Sequence, residues 1–478
     1  MNFVRSDRVA AIRSRIDHPV IDGDGHLLEY TPLIRDIIAE DAGSDVAQAF
    51  DRIVHASEHF REVPFEQKRG LGLTRTAWWG LPAQNTLDRA SAMLPQLMYR
   101  RLDEIGIDFA LLYPTYGLFA TGMPGDELRR AMARAYNRYY AEMYADYRDR
   151  LEPVAVIPTV TPEEAVAELE HAVVELGLKA VTLSGVVSRP VPGAEGVRGA
   201  YWQDTLAHDS DYDYDPLWKR CVELGVSPTF HGSTQGSGLR ASRQSYVYNH
   251  IGSFAAAGEA ACRSLFFHGV PMRFPRLHFA FLEGGVAWGA NLYSDILAHL
   301  EKRHAGAIEQ YDPARIDRDG LEGLMREYAP ESLVERMDRL DEALLLLSDP
   351  NEGSFASDEF ADSGVSGADD VREIFAGRFY FGCEADDPLT CVGLNDSILP
   401  GGARLRPVFA SDVGHWDVPD FRDVLPEAYE GVEDGKLTPE DFRAFVFGNA
   451  VSLWGRTNPK FFDGTAVEAE ARAALRSD

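Results

Sequence analysis

The feature that most constrains this 478-residue chain is a regular alternation of short apolar runs with segments of helical periodicity. Each run is too short to be assigned as strand or helix by periodicity alone, but recurrence between helical patterns is typical of βα units. Eight parallel strands joined by crossover helices can close into a (β/α)8 barrel. We therefore predict an α/β barrel with strands at Pro19–Asp22, Phe109–Tyr113, Val154–Ile157, Ala180–Leu183, Pro228–Phe230, Phe279–Leu282, Phe379–Phe381 and Val408–Ala410.

One connecting helix can be read in detail from the stretch T-P-E-E-A-V-A-E-L-E-H-A-V-V-E-L-G. Thr161 is a natural N-cap, and Pro162 fits the first helical position. Apolar residues that include Leu169 and Leu176 recur at helical spacing, and Gly177 supplies a stop. The next apolar run follows at once, as expected when a helix returns the chain to the sheet.

Three segments are longer than a minimal barrel requires, and they follow the first, fourth and sixth predicted strands. Barrels commonly carry lids and specificity elements in long loops after strands. The last of these segments ends in a polar, flexible-looking stretch, residues 351–370. We treat residues 1–478 as a single elaborated domain, with insertions at 30–105, 185–217 and 298–377 and a C-terminal helical tail at 438–478.

The composition excludes several classes of partner. A formal net charge of −29 argues against nucleic acid and anionic membranes, because little would neutralise phosphates. The four cysteines form no C-x-x-C pair, the start has no apolar signal-peptide region, and no stretch approaches about 18 apolar residues. We therefore expect a cytoplasmic protein that acts on a small molecule. Many barrels dimerise, so a homodimer is possible in principle, although no sequence feature indicates an interface.

Carboxylate and imidazole side chains follow five of the eight predicted strands. A single histidine or aspartate at a strand end is more often a satisfied polar residue than a ligand. Five such strand ends together favour a metal site, because so many carboxylates buried in one place would repel one another unless a divalent cation were present. The predicted metal ligands are Asp24, His26, His231, Glu283 and Asp412, with Glu384 and His415 beside them.

The motifs D-G-D-G-H, F-H-G, F-L-E-G-G-V-A-W and S-D-V-G-H-W-D occur in an order and spacing that resemble the amidohydrolase superfamily. More specifically, they resemble the family that includes aminocarboxymuconate-semialdehyde decarboxylase and the resorcylate decarboxylases. The resemblance covers nearly all of residues 17–465. It implies a metal-bearing TIM barrel of amidohydrolase type, with Asp24, His26, His231 and Asp412 as the matched ligands.

The chain departs from the usual family pattern at two ligand positions. Asp24 replaces the first histidine of the common H-x-H pair, and Glu283 stands where dinuclear relatives have a histidine. Lys179 lies at the wrong end of its strand to act as the carboxylated lysine of the dinuclear branch. Two histidines with several carboxylates suit Fe(II), Mn(II) or Zn(II).

Two functional interpretations follow. The D-x-D-x-H and S-D-x-G-H-W-D motifs also resemble the nonheme diiron monooxygenases of platensimycin and platencin biosynthesis. The first interpretation is therefore a two-iron monooxygenase that hydroxylates a terpenoid-like natural-product intermediate with O2 and an electron donor. The alternative is a hydrolase or non-oxidative decarboxylase of a carboxylic acid that uses one Zn or Mn ion. The extra carboxylates and long insertions favour the first, whereas the commoner family activity favours the second.

The remaining candidate residues lie in loops that follow the strands. His250, His415 and Glu384 are candidate catalytic acids or bases, although a histidine in the position of His250 is more often a packed residue. Arg240 and Arg243 could pair with a substrate carboxylate or phosphate, and Tyr116 could line an apolar pocket. It is an equally good interpretation that Arg240 and Arg243 are solvated surface residues and that Tyr116 packs within its loop.

Overall fold

Eight parallel strands form one sheet, in the order β1 Ile21–Leu27, β2 Phe109–Pro114, β3 Leu151–Ile157, β4 Ala180–Leu183, β7 Pro228–Phe230, β8 Phe279–Phe281, β9 Phe379–Glu384 and β10 Arg406–Ala410. The computed structural model describes residues 3–70, 74–123, 125–194, 197, 200–234, 238–304, 306–345 and 358–477. Two backbone hydrogen bonds join the first strand to the residues that follow the last. The Asp412 N–H donates to the Asp24 carbonyl at 3.0 Å, and the His26 N–H donates to the Val413 carbonyl at 2.8 Å. The predicted (β/α)8 barrel is therefore confirmed.

Helices alternate with the barrel strands along the chain. Two further strands, β5 Val187–Pro190 and β6 Tyr201–Asp204, lie between β4 and β7 in the chain. The helices are α1 Asp7–Arg13, α2 Thr31–Ala42, α3 Ser44–Glu62, α4 Phe65–Gly70, α5 Thr86–Met93, α6 Pro95–Ile105, α7 Asp126–Tyr144, α8 Pro162–Glu170, α9 Asp215–Leu224, α10 Tyr246–His250, α11 Ser253–Phe267, α12 Val270–Arg273, α13 Ala287–Arg303, α14 Arg318–Tyr328, α15 Glu331–Val334, α16 Leu340–Leu345, α17 Ala368–Gly377, α18 Thr390–Leu394, α19 Val424–Glu433, α20 Pro439–Arg443, α21 Asn449–Thr457 and α22 Glu468–Ser477.

All eight predicted runs overlap barrel strands, although several bounds differ by a few residues, and the difference at the first strand affects the site. We expected Asp24 and His26 to lie just past the first strand, whereas both lie within β1, which continues to Leu27. The predicted helix after β3 begins at Pro162 with Thr161 as its cap, and continues as a π-helical turn over His171–Glu175.

The three predicted insertions contain regular structure of their own. Helices α2 to α6 follow β1, and α14 to α16 follow the barrel helix α13. The segment after β4, predicted as a loop, contains an antiparallel hairpin in which β5 pairs with β6. Part of the flexible-looking stretch, residues 351–357, lies outside the described residues. No helix in the described ranges is long and apolar enough to cross a membrane.

The core lies between the barrel and its surrounding helices, and the C-terminal tail completes it. The tail contains α20, α21 and α22 but is not helical between Asn458 and Val467. Trp454 of α21 is 1% exposed and belongs to the main apolar cluster. The Ser227 hydroxyl donates to the Leu453 carbonyl at 2.7 Å, which ties this tail to the start of β7.

The buried histidine at the start of β8 gives a prediction for stability against pH. His278 is 8% exposed, and burial followed by nearby arginines lowers its pKa to about 3. In the unfolded chain this histidine binds a proton below about pH 6.5, whereas in the folded protein it stays neutral down to about pH 3. The free energy of unfolding therefore falls as the pH drops between those two values. The loss is at most about 1.4 kcal/mol per pH unit.

We expect His278→Asn to flatten the decline of unfolding free energy between pH 6.5 and pH 4, as measured by urea denaturation at several pH values. His299→Asn is the matched control, because His299 lies on the exposed surface of α13. Identical slopes in the wild type and His278→Asn would contradict the prediction.

Candidate metal centre

Six titratable side chains from four strands meet at the carboxyl-end mouth of the barrel. The carboxyl ends of parallel barrel strands face one side, and enzymes of this fold build their sites there. Two of the six come from β1, and the others follow β7, β8 and β10 within a few residues. Each is at most 6% exposed: Asp24, His26, His231, Glu283, Asp412 and His415.

One group of ligand atoms comprises Asp24, His26 and His231. The Nε2 atoms of the two histidines are 3.2 Å apart. Asp24 Oδ1 lies 3.7 Å from each of these nitrogens. Three ligand atoms so close together and so deeply buried could bind one cation.

A second group shares His26 and adds Glu283, Asp412 and His415. Asp412 Oδ1 lies 3.3 Å from His26 Nε2 and 2.7 Å from His415 Nδ1. Glu283 Oε2 lies 3.1 Å from His231 Nε2, which connects this group to the first. Within each group all ligand atoms lie within 4.8 Å of one another.

The hydrogen bonding of these atoms provides a test of whether a cation fits. Buried polar atoms in proteins are nearly always hydrogen-bonded, so several unpaired atoms in one place require an explanation. Among the described residues, Asp24 Oδ1 and both carboxylate oxygens of Glu283 are buried without a hydrogen-bond partner, and Asp412 Oδ1 has His415 Nδ1 beside it at 2.7 Å. Oxygen lone pairs left unpaired around one point are what a divalent ion requires, so the residues fit a metal.

The pKa shifts are consistent with the same conclusion. Burial raises the pKa of Asp24, Glu283 and Asp412 well above their usual values. Burial also lowers the pKa of His26, His231 and His415, which keeps these imidazoles neutral. Neutral imidazole is the form that binds metals, and a cation would return the carboxyl groups to their charged form.

Neighbouring groups fix the orientation of the ligands. His26 Nδ1 donates to the Pro114 carbonyl at 3.2 Å, which leaves Nε2 as the lone-pair nitrogen. Thr115 Oγ1 lies 3.2 Å from His415 Nε2, which directs Nδ1 toward Asp412. The Asp22 carboxylate accepts from the Ser411 hydroxyl at 2.5 Å and from the Asp24 N–H at 3.2 Å, joining β1 to β10 directly beneath the ligands.

The backbone at this mouth is irregular. The register between β1 and β2 shifts between Asp22 and Gly25, a bulge that re-aims the side chains of β1. Glu283 and Asp412 have φ angles of 55° and 50°, a region that non-glycine residues seldom adopt. A Cβ on Gly414, whose φ is 99°, would lie 2.7 Å from the His26 carbonyl. Strain of this kind concentrates at functional sites.

Comparison with known proteins identifies the family. The model of the amidohydrolase family matches residues 21–344. The chain belongs to the amidohydrolase family. The match contains β1, β7 and β8, and thus Asp24, His26, His231 and Glu283, whereas β10 and Asp412 lie beyond it. The resemblance to this family inferred from the sequence motifs is therefore confirmed.

Solved structures similar to this amidohydrolase include decarboxylases. A 5-carboxyvanillate decarboxylase from Novosphingobium aromaticivorans, solved with bound manganese, is 13% identical over 92% of this chain and 97% of its own, with a TM-score of 0.52. A 2,6-dihydroxybenzoate decarboxylase from Rhizobium is 15% identical over 91% of this chain and 98% of its own, with a TM-score of 0.48. An amidohydrolase from Mycobacterium avium subsp. paratuberculosis is 18% identical over 77% and 76% of the two chains, with a TM-score of 0.47. Likeness at these identities shows the fold.

Two predicted catalytic residues lie beside the ligand groups of this amidohydrolase rather than in them. His250 ends α10, its Nδ1 donates to the Ala77 carbonyl at 2.9 Å, and its Nε2 lies 3.9 Å from Asp417 Oδ2. Glu384 ends β9 and is half-buried, and burial followed by repulsion from Glu283 raises its pKa well above the usual value. The catalytic roles of both residues stay predictions.

The three predicted substrate-binding residues are not members of the ligand groups. Arg240 is half-buried and donates to the Ile251 carbonyl, and Arg243 is exposed. Tyr116 is 37% exposed, and its backbone N–H donates to Glu29 at 2.9 Å. The roles of all three in substrate binding stay predictions.

Sequence reasoning overlooked three residues that the structure brings to the site. Asp22 was assigned only to the strand, although its i, i+2 spacing with Asp24 could have indicated a shared role. Asp417 lies within the S-D-V-G-H-W-D motif, and its buried Oδ1 has no hydrogen-bond partner among the described residues. Trp416 stacks on His415 with ring centroids 4.3 Å apart.

Replacing Asp22 tests whether the β1–β10 connection positions the ligands. We expect Asp22→Asn to weaken manganese binding by about 10- to 100-fold, because one oxygen that accepts from Ser411 or Asp24 becomes a donor. Competition with a chelator measures the affinity. Asp295→Asn, on the exposed face of α13, is the control and should leave the manganese affinity unchanged. Equal manganese affinity in Asp22→Asn and wild type would contradict the prediction.

Proposed function

We propose that this amidohydrolase is a metal-dependent enzyme that uses a single divalent cation to decarboxylate a small carboxylic acid without oxidation, or to hydrolyse another bond of such an acid. The observation that carries the proposal is that both ligand groups share His26. One Nε2 lone pair binds one ion, so occupation of either group removes His26 from the other. The surplus carboxyl groups can remain protonated, because burial raises their pKa.

Asp24, His26 and His231, the first group, would hold the cation, and Asp412 of the second group, whose Oδ1 lies 3.3 Å from the same His26 nitrogen, would complete the set that the family resemblance implies. Two imidazoles with two carboxylates suit manganese, zinc or iron, and the related 5-carboxyvanillate decarboxylase was solved with manganese. When bound, such a cation supplies Lewis acidity that polarises a substrate oxygen or lowers the pKa of bound water.

The residues of the chain itself would orient the substrate and move the proton. Decarboxylation leaves a carbon that must gain a proton, and hydrolysis requires a base for water. Because His250 Nδ1 donates to Ala77, its Nε2 is the nitrogen that can deliver or accept that proton. Trp79 contacts the His250 ring edge-on at a centroid distance of 5.2 Å, and Phe254 lies at 5.7 Å, so aromatic rings pack against this half-buried imidazole.

Turnover assays on the full chain test the proposal. Protein loaded with Mn(II) or Zn(II) is incubated with 2,6-dihydroxybenzoate or 5-carboxyvanillate, and CO2 release is followed. We expect metal-dependent release, with His250→Asn lowering kcat by roughly 100- to 10,000-fold at unchanged metal content. Absence of turnover by the loaded protein, or equal activity of His250→Asn, would contradict this mechanism.

A second candidate is the nonheme diiron monooxygenase indicated by the sequence motifs. The observation in its favour is the excess of acid groups: both Glu283 oxygens are buried without partners, and Glu384 and Asp417 lie nearby. If His26 serves a first ion, Glu283, Asp412 and His415 could serve a second. Two irons per chain together with substrate-dependent O2 uptake would favour this candidate over the first.

A further inference from the structure

One buried asparagine joins the loop after β7 to the segment between α4 and α5. Asn249, in the short helix α10, is 0% exposed. Its amide nitrogen donates to the Arg75 carbonyl at 2.8 Å and to the Ser242 carbonyl at 2.9 Å, and its Oδ1 accepts from the Ser242 N–H at 2.6 Å. Both N–H donors and the oxygen are therefore bonded to the backbone, and the partner Arg75 lies 174 positions away in the chain.

The segment that contains Arg75 has no regular structure of its own. Residues 74–81, which we call the strap, are all described by the structure and contain neither helix nor strand. The Arg75 N–H donates to the Ser242 carbonyl at 3.0 Å, beside the bond from Asn249. The Arg75 guanidinium also lies over the Tyr246 ring at 4.3 Å. Arg75 thus attaches the strap to α10 and to the loop before it.

Two residues farther along, the strap contacts the histidine to which proton transfer is assigned. His250 Nδ1 donates to the carbonyl of Ala77, a residue that is 0% exposed, at 2.9 Å. Trp79 contacts the same imidazole with ring centroids 5.2 Å apart. Because α10 has only five residues, it has little stability of its own. The bonds from Asn249 to Arg75 and from His250 to Ala77 therefore determine how this helix and its imidazole are oriented.

His250 is connected to the metal centre through two neighbours. Its Nε2 lies 3.9 Å from Asp417 Oδ2. Phe254 contacts the His250 ring at a centroid distance of 5.7 Å and the ring of the ligand His231 at 5.9 Å. A rotation of α10 that broke the bond to the strap would change both contacts. The direction of Nε2 thus depends on residues that lie outside the ligand groups.

We propose that Asn249 is a positioning residue for the reaction. Its amide fixes the strap against α10, and the strap, through the Ala77 carbonyl, holds the His250 imidazole with Nε2 directed at Asp417. The inference rests on the proposed function, because His250 is the group to which that function assigns proton transfer. Asn249 belongs to neither ligand group and acts through His250.

Turnover by the manganese-loaded full chain, with 2,6-dihydroxybenzoate and 5-carboxyvanillate as substrates, measures the effect on the reaction. We expect Asn249→Ala to lower kcat by about 10- to 100-fold at unchanged KM and manganese content, because a small displacement of a proton-transfer group costs that much. In protein that already carries His250→Asn, Asn249→Ala should lower kcat no further, because a residue that acts through His250 has nothing left to position. A general loss of folding would lower kcat in both backgrounds.

Hydrogen–deuterium exchange, followed by mass spectrometry on the same samples, measures the strap directly and requires no turnover. We expect Asn249→Ala to speed exchange by about tenfold in peptides that cover residues 74–81 and 240–251, because the backbone groups that the amide joins can then separate. Asn249→Asp retains the acceptor for the Ser242 N–H and loses both donors, so it should release the strap as well. It is the second variant if Asn249→Ala does not fold.

Asn137→Ala is the matched control. Asn137 is also 0% exposed, its amide donates to the Val156 carbonyl at 2.9 Å and to Glu168 at 2.8 Å, and its Oδ1 accepts from the Val156 N–H at 2.8 Å. It joins α7 to β3 and α8, and none of these elements supplies a residue of the ligand groups. Its replacement should leave kcat and the exchange of the strap at their wild-type values.

The two measurements separate this inference from the proposed function. Absence of turnover by wild-type protein would contradict the proposed function, whatever the exchange shows. Unchanged strap exchange or unchanged kcat in the Asn249 variants, the same changes in Asn137→Ala, or a further loss of kcat in the His250→Asn background would overturn the role of Asn249. Faster exchange of the strap, with a fall in kcat confined to protein that retains His250, supports it.

Discussion

His26→Asn is expected to abolish metal binding at the barrel mouth and to lower any metal-dependent turnover by roughly 1,000-fold or more. His26 is the residue that both ligand groups share, and its Nε2 lies within 3.7 Å of Asp24, His231 and Asp412. Loss of the Nε2 lone pair therefore weakens metal binding by either ligand group. We expect a larger effect than for Asp22→Asn, which alters only the support of the ligands.

His278→Asn is the matched control for this substitution. His278 is also buried on the barrel, but its Nδ1 pairs with Thr457 at 3.1 Å, on the far side from the metal centre. Metal content determined by plasma mass spectrometry should stay at the wild-type value in this control and fall close to zero in His26→Asn. Full metal content in His26→Asn would show that His26 is not a metal ligand.

Arg101→Met is expected to destabilise the protein by about 3–5 kcal/mol, the largest loss of stability that we predict for a single substitution. Arg101 is 1% exposed and donates to Glu104 at 2.8 Å and to Asp88 at 2.6 Å. Removal of the guanidinium leaves two carboxylates buried without their cation. Because Asp88 also accepts from the Phe421 N–H at 2.8 Å, the same change loosens the loop after β10.

Urea denaturation of Arg101→Met beside Arg326→Met measures this effect. The Arg326 side chain is 63% exposed and pairs with Glu322 one turn away, so its replacement should cost less than about 1 kcal/mol. A loss below about 1 kcal/mol in Arg101→Met would show that the buried network contributes little to stability.

The sequence pattern was sufficient to predict the barrel and most residues at its mouth. Parallel strands deliver their carboxyl ends to one side, so a histidine after β7 and an aspartate after β10 had to approach each other once the barrel was recognised. The spacing of Asp24 and His26 likewise predicted a shared side. The short apolar run before each ligand located the strand and therefore the end of the barrel at which the ligand lies.

Other features depend on long-range geometry that local pattern does not contain. The bulge in β1 and the positive φ angles of Glu283 and Asp412 are features that no local propensity encodes. The Asp22–Ser411 hydrogen bond joins residues that lie 389 positions apart. The hairpin of β5 and β6 was missed because its strands are short and one of them, Tyr201–Asp204, is largely exposed and lacks an apolar run.

The central claim is that a divalent cation binds among Asp24, His26, His231 and Asp412. Anomalous diffraction from crystals grown with Mn(II), recorded near the manganese edge, tests it most directly. The account predicts a strong anomalous peak about 2.0–2.3 Å from the facing atoms of these four residues, a typical range for such ligands. A fully ordered mouth with no peak, or a peak held by other residues, would contradict it.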